Sequence, residues 1–169
     1  MIKSISISAV ILLCCALIES AILSNIAFLR AVPDLSLICV LYFSLHNGRV
    51  SGECTGFISG LFIDFLSAAP FGLNCLFRTV LGYLGGVFTK TFNTDGIIIP
   101  AVLGFCATII KCLLILFIAF LFPSSVVKYN PFSMMFLFEL CANTVLTPVV
   151  FKILGIFKNI VVLNPENVI

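Results

Sequence analysis

Tryptophan and glutamine are missing from this chain, histidine occurs once, and charged residues make up only 9% of its 169 positions. A soluble domain carries about 25% charged residues and roughly 45–50% apolar ones. Here 62% of the residues are hydrophobic. The shortage of charge excludes a water-soluble domain and leaves one compact, all-α, multi-spanning membrane domain. A scattered net charge of +2 excludes a nucleic-acid surface. His46 alone offers a zinc cluster no ligand set, and beside Asn47-Gly48-Arg49 it reads as a solvated loop residue. No HExxH, GxSxG or Walker loop occurs, and Ser51, Ser59 and Ser67 have no histidine nearby to activate them. Neither an enzyme nor a bound cofactor is expected.

Cysteine, by contrast, is plentiful. Cys14, Cys15, Cys39, Cys54, Cys75, Cys106, Cys112 and Cys141 all lie in apolar runs with no CxxC pair. That placement predicts small apolar fillers, because a disulfide framework needs loop cysteines in an oxidising compartment.

A helix needs about 20 residues to cross a hydrocarbon core of roughly 30 Å. On that ruler the apolar runs predict a six-helix bundle with spans near 5–23, 34–46, 52–68, 73–92, 97–122 and 132–157. The first reads as a retained helix extending toward Phe28, since it lacks a tidy small-x-small cleavage site. The second is short and opens on Pro33-Asp34, with Asp34 as its N-cap. Pro148 predicts a kink in the sixth, relieved by Thr144 or Asn143. With the N-terminus inside, Lys3, Arg49, Lys90, Lys152 and Lys158 fall on inner segments, and Arg30 and Lys128 on outer ones. The bias favours both termini in the cytoplasm. The Asn164-Pro165-Glu166 tail reads as a solvated end.

Two glycine ladders stand out from this apolar background. Gly52, Gly56, Gly60 and Asp64 recur every four residues in the third span; Arg78, Gly82 and Gly86 do so in the fourth. Four-residue spacing keeps each set on one helical face, and glycine lets two such faces approach closely. The ladders predict a packing face, and also a face available to another membrane protein. The short turn at Pro70 and Gly72 folds the two helices into a hairpin and predicts an Asp64–Arg78 ion pair that fixes their register. Glu19 and Glu139 fall at a depth similar to Asp64 and Arg78, with Lys111 nearer the midplane, about one turn from Glu139's level; lone charges at the centre cost about 2.5–3.5 kcal/mol each, so pairing inside the bundle is expected. Arg49 and Glu53 are expected to pair at the inner surface.

Pro33-Asp34-Leu35, the glycine ladder running into Leu61-Phe62-Ile63-Asp64-Phe65-Leu66-Ser67, Pro70-Phe71-Gly72, and Leu81-Gly82-Tyr83-Leu84-Gly85-Gly86 together resemble the MreD family of rod shape-determining membrane proteins. The resemblance in order and spacing covers about residues 19–92; Ala68-Ala69 stand where many members carry glycines. It implies a non-enzymatic component of the cell-elongation complex in the bacterial cytoplasmic (inner) membrane, binding MreC and helping to organise lateral peptidoglycan synthesis. MreB, RodA and a class B penicillin-binding transpeptidase are further implied partners. It also implies a six-helix bundle similar to the substrate-binding S components of energy-coupling-factor vitamin transporters. The rival reading is such an S component, with Glu19, Asp64, Arg78 and Glu139 lining a ligand pocket. The absence of tryptophan and glutamine counts against it. A proton-coupled transporter using Asp64 or Glu139 is a third reading.

Overall fold

A computed structural model of the chain describes residues 2–23, 31–67, 69–92, 94, 96–122 and 132–162. Arg30, Lys128, Ala68, the extension toward Phe28, the 123–131 connection and the C-terminal tail lie outside the described residues. Six long helices and one short one make up the described structure: α1 (Ile2–Leu17), α2 (Leu35–Asn47), α3 (Arg49–Leu66), α4 (Leu73–Val87), α5 (Ile98–Leu121), α6 (Met134–Ile156) and α7 (Lys158–Val161). α1 continues into a π-helical turn, Ile18–Ile22.

Length and composition single out three crossings: Ser4–Ile22, α5 and α6 are long and apolar enough to span a membrane. The other three long helices differ for separate reasons. α3 and α4 have 18 and 15 residues, and α3 carries Arg49, Glu53 and Asp64. α2 has only 13 residues, or about 20 Å of helix, and every residue from Ser36 to Leu45 is buried. α2 is therefore the bundle's central rod, with protein around it. α1, α3, α4 and α6 pack along it. Its Val40, Tyr42 and Phe43 share one core with Leu12 of α1, Ala107 of α5 and Phe151 of α6. Leu37 joins Phe77 and Leu81 of α4 and Ile115 of α5 in a second.

Gly48 alone connects α2 to α3. Its φ of +90° suits a residue without Cβ and starts α3 three positions before the expected boundary at 52. α4 stops at Val87, five residues before 92, and Lys90 then takes a left-handed φ of +62°. At the other end of the hairpin the Leu73 N–H donates to the Pro70 carbonyl at 3.1 Å, and Gly72 has φ +92° and ψ −12°. Those angles suit the third position of a type II turn, where glycine is preferred.

α3 and α4 form the most extensive helix pair in the molecule. A Cβ added at Gly52 would run into the Gly82 carbonyl, and one at Gly82 into the Gly52 carbonyl. Gly56 lies against the Arg78 backbone, Gly60 against Asn74 and Cys75, and Gly86 against Arg49. The two ladders are turned toward each other over their full length. Their faces are filled by the opposing helix, so neither remains open to a third helix. Gly85 admits Ser44 of α2, and Gly104 of α5 admits Thr147 of α6 by the same means.

α6 passes through Pro148 without a break. Thr144 Oγ1 donates to the Leu140 carbonyl at 2.7 Å and Thr147 Oγ1 to the Asn143 carbonyl at 2.6 Å. Both hydroxyls are thereby satisfied within their own helix. The eight cysteines are free thiols, and Cys15 and Cys39 touch at 3.6 Å between sulfurs.

Candidate functional site

The shortness of α2 creates the site. A helix of about 20 Å begins well inside a bundle whose neighbours are longer, so its N-terminus and the preceding Pro33 are buried. Asp34 caps that start, accepting a hydrogen bond from the Leu37 N–H at 3.0 Å. Its own N–H donates to Asn143 Oδ1 of α6 at 2.9 Å, and Asn143 in turn donates to Thr108 Oγ1 of α5 at 3.1 Å.

The Asp34 carboxylate then takes two cations. Arg78 Nη2 of α4 lies 2.6 Å from Oδ1, and Lys111 Nζ of α5 lies 2.7 Å from Oδ2. Lys111 also bridges to Glu139 of α6 at 2.6 Å. Arg78 Nη1 donates to Ser36 Oγ at 2.8 Å and to Ser59 Oγ of α3 at 3.2 Å. Glu19 closes the set from the π-helical turn, accepting from the Ser36 N–H at 2.6 Å and from Ser36 Oγ at 3.0 Å. π-Turns often occur at functional positions, and this one delivers a carboxylate to the start of α2. All six long elements therefore meet around Asp34, with three acids and two bases almost out of water. Charges buried to this degree are tolerable only when paired and hydrogen-bonded.

The expected Asp64–Arg78 pair is replaced by two separate arrangements. Arg78 goes to Asp34. Asp64 turns to the N-terminus of α4, where its carboxylate accepts from the N–H groups of Gly72 (3.0 Å), Asn74 (3.1 Å) and Cys75 (3.1 Å). Asn74 Nδ2 adds a fourth contact at 2.8 Å. These are N–H groups that a helix start leaves without partners, and the positive end of the helix dipole favours the carboxylate. The close approach of the glycine faces places Asp64 over this helix start. Arg78, on the same hairpin, points across α3 toward α2.

Lys111 reaches Glu139 across the one-turn difference in depth, and Glu19 joins the same cluster through Ser36. Asp34 is the member that sequence reasoning cast only as a cap. The usable signal was there: an Asp opening a span too short to cross lies inside the bundle, next to whatever cations the bundle holds. Arg49 and Glu53 form no ion pair with each other in the described structure.

A pocket of about 550 Å³ opens beside this cluster, lined by Glu19, Asp34, Asn74, Arg78, Lys111 and Glu139 among others. Arg78 Nε is buried without a partner among the described residues. The cluster lacks an activated nucleophile, and its carboxylates are engaged by cations or by backbone and hydroxyl donors. Among the described residues no three His, Cys, Asp or Glu side chains come together as a metal site. The arrangement can hold helices in register and present a polar pocket.

Searches of curated proteins and of solved structures return no match. Comparison with protein families matches residues 2–157 to the family described as rod shape-determining protein MreD. That match spans the whole helical bundle, including Asp34, both glycine ladders and the buried cluster; the chain belongs to the MreD family of rod shape-determining membrane proteins.

Proposed function

We propose that this chain is a non-enzymatic membrane component of the cell-elongation complex that binds MreC and helps organise lateral peptidoglycan synthesis. The family match over residues 2–157 is the observation that carries the reading. The distribution of polar groups supports it. Glu19, Asp34, Arg78, Lys111 and Glu139 turn inward and pair within the bundle, while the outer sides of the helices carry large apolar side chains suited to contact with another membrane protein. The α3–α4 hairpin is the best partner surface on packing grounds: it is the most tightly packed pair, and its outer side exposes Phe57, Phe65, Leu76 and Tyr83. Large apolar and aromatic side chains on a rigid support suit a single membrane-spanning helix of a partner.

Arg49, Lys90, Lys152 and Lys158 all belong to the end of the bundle opposite the pocket. The positive-inside bias supports an orientation with that end and both termini on the cytoplasmic side of a bacterial inner membrane. MreB, RodA and a class B penicillin-binding transpeptidase remain the further partners proposed on the family's account. Photo-crosslinkers at Phe57, Leu76 and Tyr83 test the reading in cells containing MreC. Capture of MreC from these positions is the expected result. Capture only from sites on α5 and α6 would overturn the hairpin assignment, and no capture from any helix would overturn MreC binding.

One observation favours a second reading. The pocket beside Arg78 is large enough for a small molecule, and Arg78 Nε is a buried donor with no partner among the described residues. A bundle like an energy-coupling-factor S component would use that pocket for substrate. Mass spectrometry of the purified chain distinguishes the two: a stoichiometric small molecule lost on Arg78→Lys supports the transporter subunit.

A further inference from the structure

The opposite end of the bundle carries a second pair of cavities with a different chemistry. One, of about 250 Å³, is lined by Leu45, His46, Lys90, Phe92, Thr94 and Lys158, with Val162 at its edge. The other, of about 510 Å³, shares His46, Thr94 and Lys158 and continues past Lys152 along Pro148, Phe151 and Ile156. Together they form one cleft with three lysines at its mouth and an apolar floor along α6, faced by Ile97 just before α5. None of the described lining residues is acidic. Lys90, Lys152 and Lys158 form no ion pair among the described residues.

Three features make this more than a positively charged end. Lys90 holds a left-handed backbone where glycine or asparagine is usual. Its N–H donates to the Leu45 carbonyl at 3.4 Å, and Thr89 Oγ1 to the Ser44 carbonyl at 3.2 Å, which ties the lysine to the end of α2. The apolar wall of the larger cavity is α6, through Pro148, Phe151 and Ile156, and α6 is long and apolar enough to lie in lipid. Gly155 leaves the floor open, since a Cβ there would meet no atom within 4 Å.

The geometry points to a binding site for an anionic phospholipid, with its phosphate between Lys90 and Lys158 and an acyl chain along α6 past Phe151 and Ile156. Charge complementarity selects an anion, and the apolar continuation of the cleft along membrane-spanning α6 selects a lipid over a soluble phosphate. His46 serves as wall: it stacks on Tyr42 at 4.1 Å, with Nδ1 2.8 Å from the Tyr42 carbonyl. The site is independent of the partner assignment above, and its failure leaves that assignment standing.

The full chain is reconstituted with phosphatidylglycerol and phosphatidylcholine, extracted, and its retained lipid measured by native mass spectrometry. Phosphatidylglycerol is expected to be retained over phosphatidylcholine. Each lysine removed should weaken retention about fivefold, so that Lys90→Gln with Lys158→Gln loses on the order of 25-fold. Gly155→Trp keeps every charge and should displace the lipid by filling the groove. Arg49→Gln, at the same end but outside the cleft, should change nothing. Equal retention of both lipids overturns the site, as does an Arg49→Gln loss equal to that of the double variant. Inorganic phosphate stabilising the chain as strongly as phosphatidylglycerol would also overturn the lipid assignment.

Discussion

α4 is held on two sides by opposite means. Toward α3 it presents glycine, and the contact is backbone against backbone with no room for a methyl group. Toward α2 and α5 it presents Arg78, and the contact is a buried carboxylate shared by two cations. The glycine seam is a problem of space, where adding an atom does the damage. The Asp34 cluster is a problem of charge, where removing an atom does. Each device supports the other. The seam fixes the height at which Arg78 enters the bundle, and the cluster holds the hairpin against the central helix.

The comparison breaks hardest at Asp34. Asp34→Ala strands Arg78 and leaves Lys111 with Glu139 alone, and should cost about 3–5 kcal/mol, read as loss of folded protein in membranes and of thermal stability in detergent. A variant of ordinary stability would mean that the cluster does not hold the bundle. Next comes the seam. Gly56→Ala pushes a Cβ into the Arg78 carbonyl and should cost about 1–3 kcal/mol by the same measurements, with Gly155→Ala as the harmless control.

Asp64→Ala removes the acceptor of three backbone N–H groups at the start of α4 and should cost about 2 kcal/mol. Exchanging the residues at 64 and 78 should give no recovery over Arg78→Asp alone, because Asp64 serves a helix terminus and Asp34 serves Arg78. Recovery on exchange would restore the Asp64–Arg78 pair. The smallest effect is expected at Arg49→Gln, within about 0.5 kcal/mol, since Arg49 makes no ion pair in the described structure.

Much of the architecture was legible along the chain because hydropathy acts locally. Apolar run length located every long helix, and Gly72 with Pro70 located the hairpin turn. The ladders at Gly52, Gly56, Gly60, Gly82 and Gly86 announced a close approach, since a four-residue period has only one face to offer. Boundaries were less legible. The single-residue link at Gly48 and the early end of α4 depend on tertiary contacts, notably the Thr89 hydroxyl at the Ser44 carbonyl. The candidate site was half legible. Its members share a depth, which can be counted in residues, but their partners are chosen by rotation about helix axes.

The sequence by itself determined that this is a membrane bundle with buried charges that must find one another, because hydrocarbon penalises an unpaired charge wherever the chain places it. Which charge meets which was decided only in three dimensions. A carboxylate about two helical turns from Arg78's level had two outlets, a cation or a ring of free N–H groups. The close-packed glycine seam carried Asp64 to the N–H groups and left Arg78 to the acid at the head of the short central helix.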